Sequence, residues 1–180
     1  MSDLIALPTF IEHDAFRVVV ESPRGSALKL KYDPEHQVIT LSRPLIAGLA
    51  YPCDWGFVPS TRAPDGDPLD AFVLWDGISF PGVVLPCRAI GVLRIEQTSR
   101  SSHERERNDR VVALPVKAPR LDAVQGVRDL SDRVRRELEQ FFLAVVAFEG
   151  RDLSILGWGD PGEALELIRA SAKETHAMHR

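Results

Sequence analysis

Over the first two thirds of the chain, apolar and polar residues alternate in short runs separated by Gly, Pro and Asp turns, the pattern of a mainly β protein. The runs FRVVVE (16–21), LKLKYD (28–33), QVITLS (37–42), AFVLW (71–75), GVVLPCRAIGVLRIE (82–96) and RVVALPV (110–116) are rich in β-branched and aromatic side chains. The fifth is long enough for two strands, or for one bent at Pro86, because proline cannot donate to a central ladder. The period then changes. From Ser131 to about Phe148, apolar residues at Val134, Leu138, Phe141, Phe142, Val145 and Val146 have helical spacing, with Ser131 or Asp132 available as N-cap. A strand LSIL (153–156) follows, then a helix from Glu163 to about Ala172, capped by Asp160 and opened by Pro161. Many short strands followed by two helices predict an α+β fold, mainly β: a small barrel with helices packed outside, formed by residues 1–180 as one domain.

The chain has 180 residues and a formal charge of −4, with no long basic tract, which argues against nucleic-acid binding. No segment reaches the roughly 18 uninterrupted apolar residues of a membrane span. The first residues, MSDLIALPTF, lack the basic and then apolar run of a signal peptide, so a cytoplasmic protein is expected. Cys53 and Cys87 are too far apart for a CxxC unit and read as buried thiols in a reducing compartment.

Two glycine- or aspartate-rich patterns are rejected on their context. GWGDPG (157–162) satisfies GxGxxG, but no later strand is left to carry the acidic residue expected about 20 positions on. DGDPLDAFVLWD (65–76) places acids at the first, third and last positions of a calcium loop, yet puts Asp70 where that loop needs glycine. SRSSHERERND (99–109) reads as a solvated hairpin loop that brings Glu104, Glu106, Asp109 and several arginines near whatever its flanking strands approach.

DGDPLD (65–70) is the chain's most unusual stretch. It sets three mutually repelling carboxylates on a turn stiffened by Pro68. Asp65, Asp67 and Asp70, at i, i+2 and i+5, can aim short oxygen donors at one point, which suits a hard divalent cation such as Mg²⁺. Such cations activate water and gather phosphate oxygens. Cationic side chains would have to assist, and Lys29, Lys31 and Arg43 on the early strands are candidates.

At this point the sequence resembles the soluble, Mg²⁺-dependent, barrel-type inorganic pyrophosphatases over nearly its whole length. VVVES followed by KYD resembles the family's strand-borne glutamate and Lys-Tyr-Glu element, and YPCDWGFVP (51–59) its Tyr-Pro-x-Asn-Tyr-Gly-Phe-x-Pro segment. DGDPLD matches Asp-Gly-Asp-Pro-x-Asp at every fixed position, and RAIGVL, VALPV, the FF of the long helix and the GW before the last helix follow in order. The resemblance implies an OB-like β-barrel with two helices, in a homo-oligomer that is commonly a hexamer. It also implies Mg²⁺ (or Mn²⁺) as cofactor and a small phosphate compound, inorganic pyrophosphate, as substrate. On this match Asp65, Asp67 and Asp70 hold metal, with Asp33, Glu96 and Asn108 completing the metal set. Asp67 helps to take a proton from the attacking water, and Glu21, Lys31 and Arg43 are the other catalytic groups. Lys31, Arg43, Trp55 and Arg110 contact substrate.

The departures are specific. Trp55 stands where the family has a substrate-contacting tyrosine, and Asp54 where it has asparagine. After GVL the chain reads Arg94-Ile95-Glu96-Gln97, so Glu96 can replace the family's metal aspartate only if the strand shifts by one residue. Asn108 and Arg110 replace the aspartate and lysine of Asp-x-Lys. Val145 and Val146 replace a phosphate-gripping Tyr-Lys pair. These changes leave two alternatives to pyrophosphate hydrolysis: a hydrolase of another phosphate compound, or a non-catalytic metal- or phosphate-binding relative.

Overall fold

The computed structural model describes residues 3–99, 104–147 and 152–178. Its strands are β1 (Phe10–Glu12), β2 (Ala15–Ser22), β3 (Leu28–Asp33), β4 (Val38–Pro44), β5 (Asp54–Phe57), β6 (Asp70–Val73), β7 (Val84–Thr98), β8 (Arg105–Arg107), β9 (Arg110–Pro115) and β10 (Leu153–Gly159). The two long helices are α1 (Asp132–Val146) and α2 (Pro161–Met178). The expected end of the first helix at Phe148 lies outside the described residues, as do positions 100–103 of the polar loop.

The barrel closes because β2 has two partners. It pairs with β5 through Val19–Phe57 and Val20–Gly56, and with the first part of β7 through Phe16–Cys87 to Val19–Val84. From β5 the ring continues through β6 and β9 back to β7; only the β6–β9 pairing in it is parallel. Closure removes the free edges that an open sheet would expose. Gly56 permits the β2–β5 contact, since a Cβ there would stand 1.9 Å from the Val19 carbonyl oxygen. A separate two-stranded sheet, β3–β4, stands beside the ring.

β7 differs from the expectation of a break at Pro86. It is one continuous strand in which Pro86 lies opposite Arg17 of β2, and the register slips instead between Ala89 and Gly91. Bending at this bulge lets its first part serve the barrel while its second part pairs with β10 and β8.

Three hydrophobic clusters hold the layers, the smallest formed by Val19, Tyr32 and Phe57. On one side of the sheet, Phe16, Val18, Leu69, Val73 and Val111 pack together with Ile168 of α2. On the other side, α1 lays Leu138, Phe141, Phe142 and Val145 against Tyr51, Trp55 and Phe72. Phe72 and Phe142 meet edge to face at 4.5 Å between ring centroids. The helix begins at Ser131, whose hydroxyl accepts from the Val134 amide at 3.3 Å. Ser131→Ala is expected to lower unfolding free energy by about 1 kcal/mol, whereas Ser131→Asp retains it. Urea denaturation of the three proteins checks this; equal midpoints for serine and alanine would refute the cap.

Candidate active site

The aspartate turn is built from the backbone outwards. Gly66 takes φ +88°, a left-handed conformation, and its amide donates to the Ala63 carbonyl at 2.9 Å. The Ala63 amide donates to the Asp67 carbonyl at 2.8 Å. Leu69, fully buried, anchors the end of the turn, with its amide donating to Thr61 Oγ1 at 2.9 Å. The next residue, Asp70, opens β6.

Asp65, Asp67 and Asp70 all face one cavity of about 600 Å³. Glu21, Lys29 and Lys31 line it from the strands β2 and β3, and Asn108 and Arg110 from the far side. Each aspartate already has a partner. Lys31 Nζ lies 2.9 Å from Asp67 Oδ2, and Arg110 Nη1 lies 2.8 Å from Asp70 Oδ2. Asn108 Nδ2 donates to Asp65 Oδ2 at 2.9 Å, while its Oδ1 accepts from Arg110 Nη1. The guanidinium of Arg110 also sits 5.5 Å above the Trp55 ring, within cation–π range. Its Nε is buried without a hydrogen-bond partner.

Burial sets the electrostatics. Glu21 accepts from the Tyr32 amide at 2.7 Å, but desolvation outweighs that bond and pushes its pKa up to about 7. Asp70 is also raised by burial, with the charge of Arg110 opposing the rise and Asp65 and Asp67 adding to it. Burial works against a charged Lys31, yet the contact with Asp67 leaves its pKa raised.

Three predicted residues do not reach the cavity. Glu96 projects from the opposite face of β7 and accepts from Arg105 Nε at 3.0 Å; Gln97, one residue on, lines the cavity instead. No one-residue shift brings Glu96 inward, because Gln97 is paired in register with Leu153 and Glu106. Asp33 caps the β3–β4 turn, where its carboxylate accepts from the Glu35 and His36 amides at 2.9 and 3.1 Å. Arg43 points to the end of α1 and donates from Nη2 to the Val145 carbonyl at 3.1 Å.

Glu106 is a cavity residue that the sequence did not single out from its loop. Glu106, Asn108 and Arg110 all line the cavity. Arg105 binds Glu96 and Asp152, and Arg107 binds Asp109, away from it. The signal was available in the two-residue period of an extended chain.

The oxygen donors of Asp65, Asp67, Asp70 and Glu21 have the chemistry that a hard cation requires. Among the described residues no three acidic, histidine or cysteine side chains are arranged to share one ion as they stand. Asp67 and Asp70 spend their charge on Lys31 and Arg110 instead. Asn108 is poorly suited as a ligand here, since its amide oxygen is engaged by Arg110.

A small β-barrel in which acids and cations face each other across one cavity defines a class of protein suited to charged ligands. Residues 18–176 match the family model described as inorganic pyrophosphatase. The inorganic pyrophosphatase of Thermus thermophilus is 37% identical over 174 residues, covering 94% of this chain and 96% of its own. That of Leifsonia xyli is 38% identical over 165 residues, covering 91% and 98%. A crystal structure of the Thermus thermophilus enzyme superposes with a TM-score of 0.88 at 35% identity, covering 97% of this chain and 99% of that one. One from Coxiella burnetii gives 0.85 at 31%, covering 94% and 99%. The chain belongs to the inorganic pyrophosphatase family.

Proposed function

We propose that this chain hydrolyses inorganic pyrophosphate to two orthophosphates, with Mg²⁺ as cofactor and Mn²⁺ able to replace it. The observation that carries this reading is the single cavity shared by Glu21, Asp65, Asp67, Asp70, Lys31 and Arg110. The cation would be held by Asp65, Asp67 and Asp70 and would supply positive charge that acidifies water and offsets phosphate charge. Lys31 and Arg110, which pair with Asp67 and Asp70 in the metal-free pocket, would face phosphate oxygens with Lys29 beside them if a cation were held by the aspartates. Asp67, on the open side of the turn, accepts the proton of the attacking water. Trp55 holds the Arg110 guanidinium in place from one face. Glu21 fixes the Tyr32 backbone and adds negative charge behind the aspartates.

The proposed protein is one domain over residues 1–180, working in the cytoplasm as a homo-oligomer, a hexamer by family resemblance. No helix among the described residues is long and apolar enough to cross a membrane. Sedimentation velocity at micromolar concentration tests the hexamer.

Mg²⁺-dependent phosphate release from pyrophosphate tests the activity. The same ion should raise the melting temperature, since binding to the native state at 100 times Kd adds about 2.7 kcal/mol of stability. Neither phosphate release nor a thermal shift in millimolar Mg²⁺ would overturn the proposal and leave a non-catalytic relative.

A further inference from the structure

The cavity has two unlike sides. One carries the aspartate turn, Glu21 and the lysines; the other is a wall of Trp55, Phe141, Phe142, Val145, Val146 and Leu153. Arg110 lies over Trp55 at one edge of this wall, but Val145, Val146 and Leu153 offer a phosphate oxygen no side-chain donor, so an ionic group pressed against them would lose water without replacement. At about 600 Å³ the cavity falls within the range of about 300–1,000 Å³ that takes organic ligands. Charge points the same way. In the metal-free pocket Lys31 and Arg110 are each matched to an aspartate, and the β7–β8 side offers the amides of Gln97 and Asn108 and the carboxylate of Glu106. Fully ionised inorganic pyrophosphate carries one more negative charge than its monoester, and Glu106 on this side opposes that extra charge.

We propose that the same pocket accepts a diphosphate monoester whose organic group is compact and apolar and lies against the wall formed by α1, Trp55 and Leu153. This rests on reading the pocket as that of a phosphoanhydride hydrolase. The water oxygen bonds to the terminal phosphorus, and the bond from that phosphorus to the bridging oxygen breaks. The bridging oxygen leaves with the ester-bearing phosphate, and the water proton passes to a pocket carboxylate. The products are orthophosphate and a phosphate monoester, with no change in oxidation state. The organic group sits on the leaving side, so binding energy from the wall helps to position the terminal phosphate.

The test is kcat/KM at saturating Mg²⁺ for inorganic pyrophosphate and for methyl, isopentyl and phenyl diphosphate, with products identified by phosphorus NMR. From methyl to isopentyl or phenyl, a rise of about tenfold or more is expected, the scale of discrimination by an apolar pocket. Val146→Thr, which changes little but the polarity of one wall residue, should shrink that rise, and Val146→Lys should shift preference towards inorganic pyrophosphate. A flat or falling series, with inorganic pyrophosphate still cleaved, overturns this inference and leaves the hydrolase reading standing. Phosphate from none of the four substrates overturns both. Unaltered selectivity in a folded Val146→Thr protein removes the wall from the explanation.

Discussion

Asp67→Asn is expected to lower kcat/KM for pyrophosphate by about 10²–10⁴-fold, the usual contribution of a positioned proton acceptor. Asparagine preserves what the turn needs. The Asp67 carbonyl still accepts from the Ala63 amide, and the Asp67 amide still donates to Asp65 Oδ1 at 3.2 Å. The variant loses the charge that binds a proton or a cation. Stability should change little, because the Lys31–Asp67 pair is half exposed, at 51% and 57%, and such pairs contribute about 0–1 kcal/mol. The readout is therefore a large loss of rate in a protein with nearly unchanged melting behaviour when metal-free. Comparison with Asp65→Asn separates roles, since Asp65 also anchors Asn108. If Asp67→Asn keeps activity within about threefold of wild type, Asp67 is not the proton acceptor and another cavity acid, Glu106 or Glu21, must be examined.

The barrel was legible because its strands carry their own local signals. LKLKYD matches β3 residue for residue, and FRVVVE and RVVALPV lie within about a residue of β2 and β9. The short strands β1, β5 and β8 were not, since each is defined by its neighbours: DWGF becomes a strand because β2 and β6 flank it. The turn aspartates were legible because proximity in sequence forces proximity in space. Asp33, Glu96 and Arg43 show where that logic stops. Each lies on a strand or strand end near a cavity residue, but side-chain direction alternates, and one position decides whether a side chain faces the cavity or turns away from it. Glu96 and Gln97 make the point: the acid turned to Arg105 and the neutral amide turned inward. Family resemblance placed the strand correctly yet could not say which neighbour occupied the inward position.

Glu21 should make the metal-free protein lose stability as pH rises. Its pKa is about 7 in the folded state against an ordinary value of 4.5, because burial penalises the carboxylate. The folded state thus holds this proton more tightly than the unfolded chain does. Its stabilising contribution is complete below about pH 4.5 and disappears as pH climbs through about 7. At about 1.4 kcal/mol per pH unit, the difference amounts to about 3 kcal/mol by pH 8. Glu21→Gln removes the charge but keeps an oxygen to accept from the Tyr32 amide. The variant should match wild type near pH 4.5 and exceed it by up to about 3 kcal/mol at pH 8 without metal. Asp70 imposes a slope of the same sign in both proteins, and because its charge also raises Glu21 the comparison reads Glu21 together with that coupling. Saturating Mg²⁺ should shrink or reverse the gap, because a cation among the aspartates favours the charged carboxylate. Urea denaturation at pH 4.5, 6, 7 and 8 with chelator measures it. Parallel curves for the two proteins across that range would show that Glu21 is solvated in solution, and would remove it from the electrostatics of the pocket.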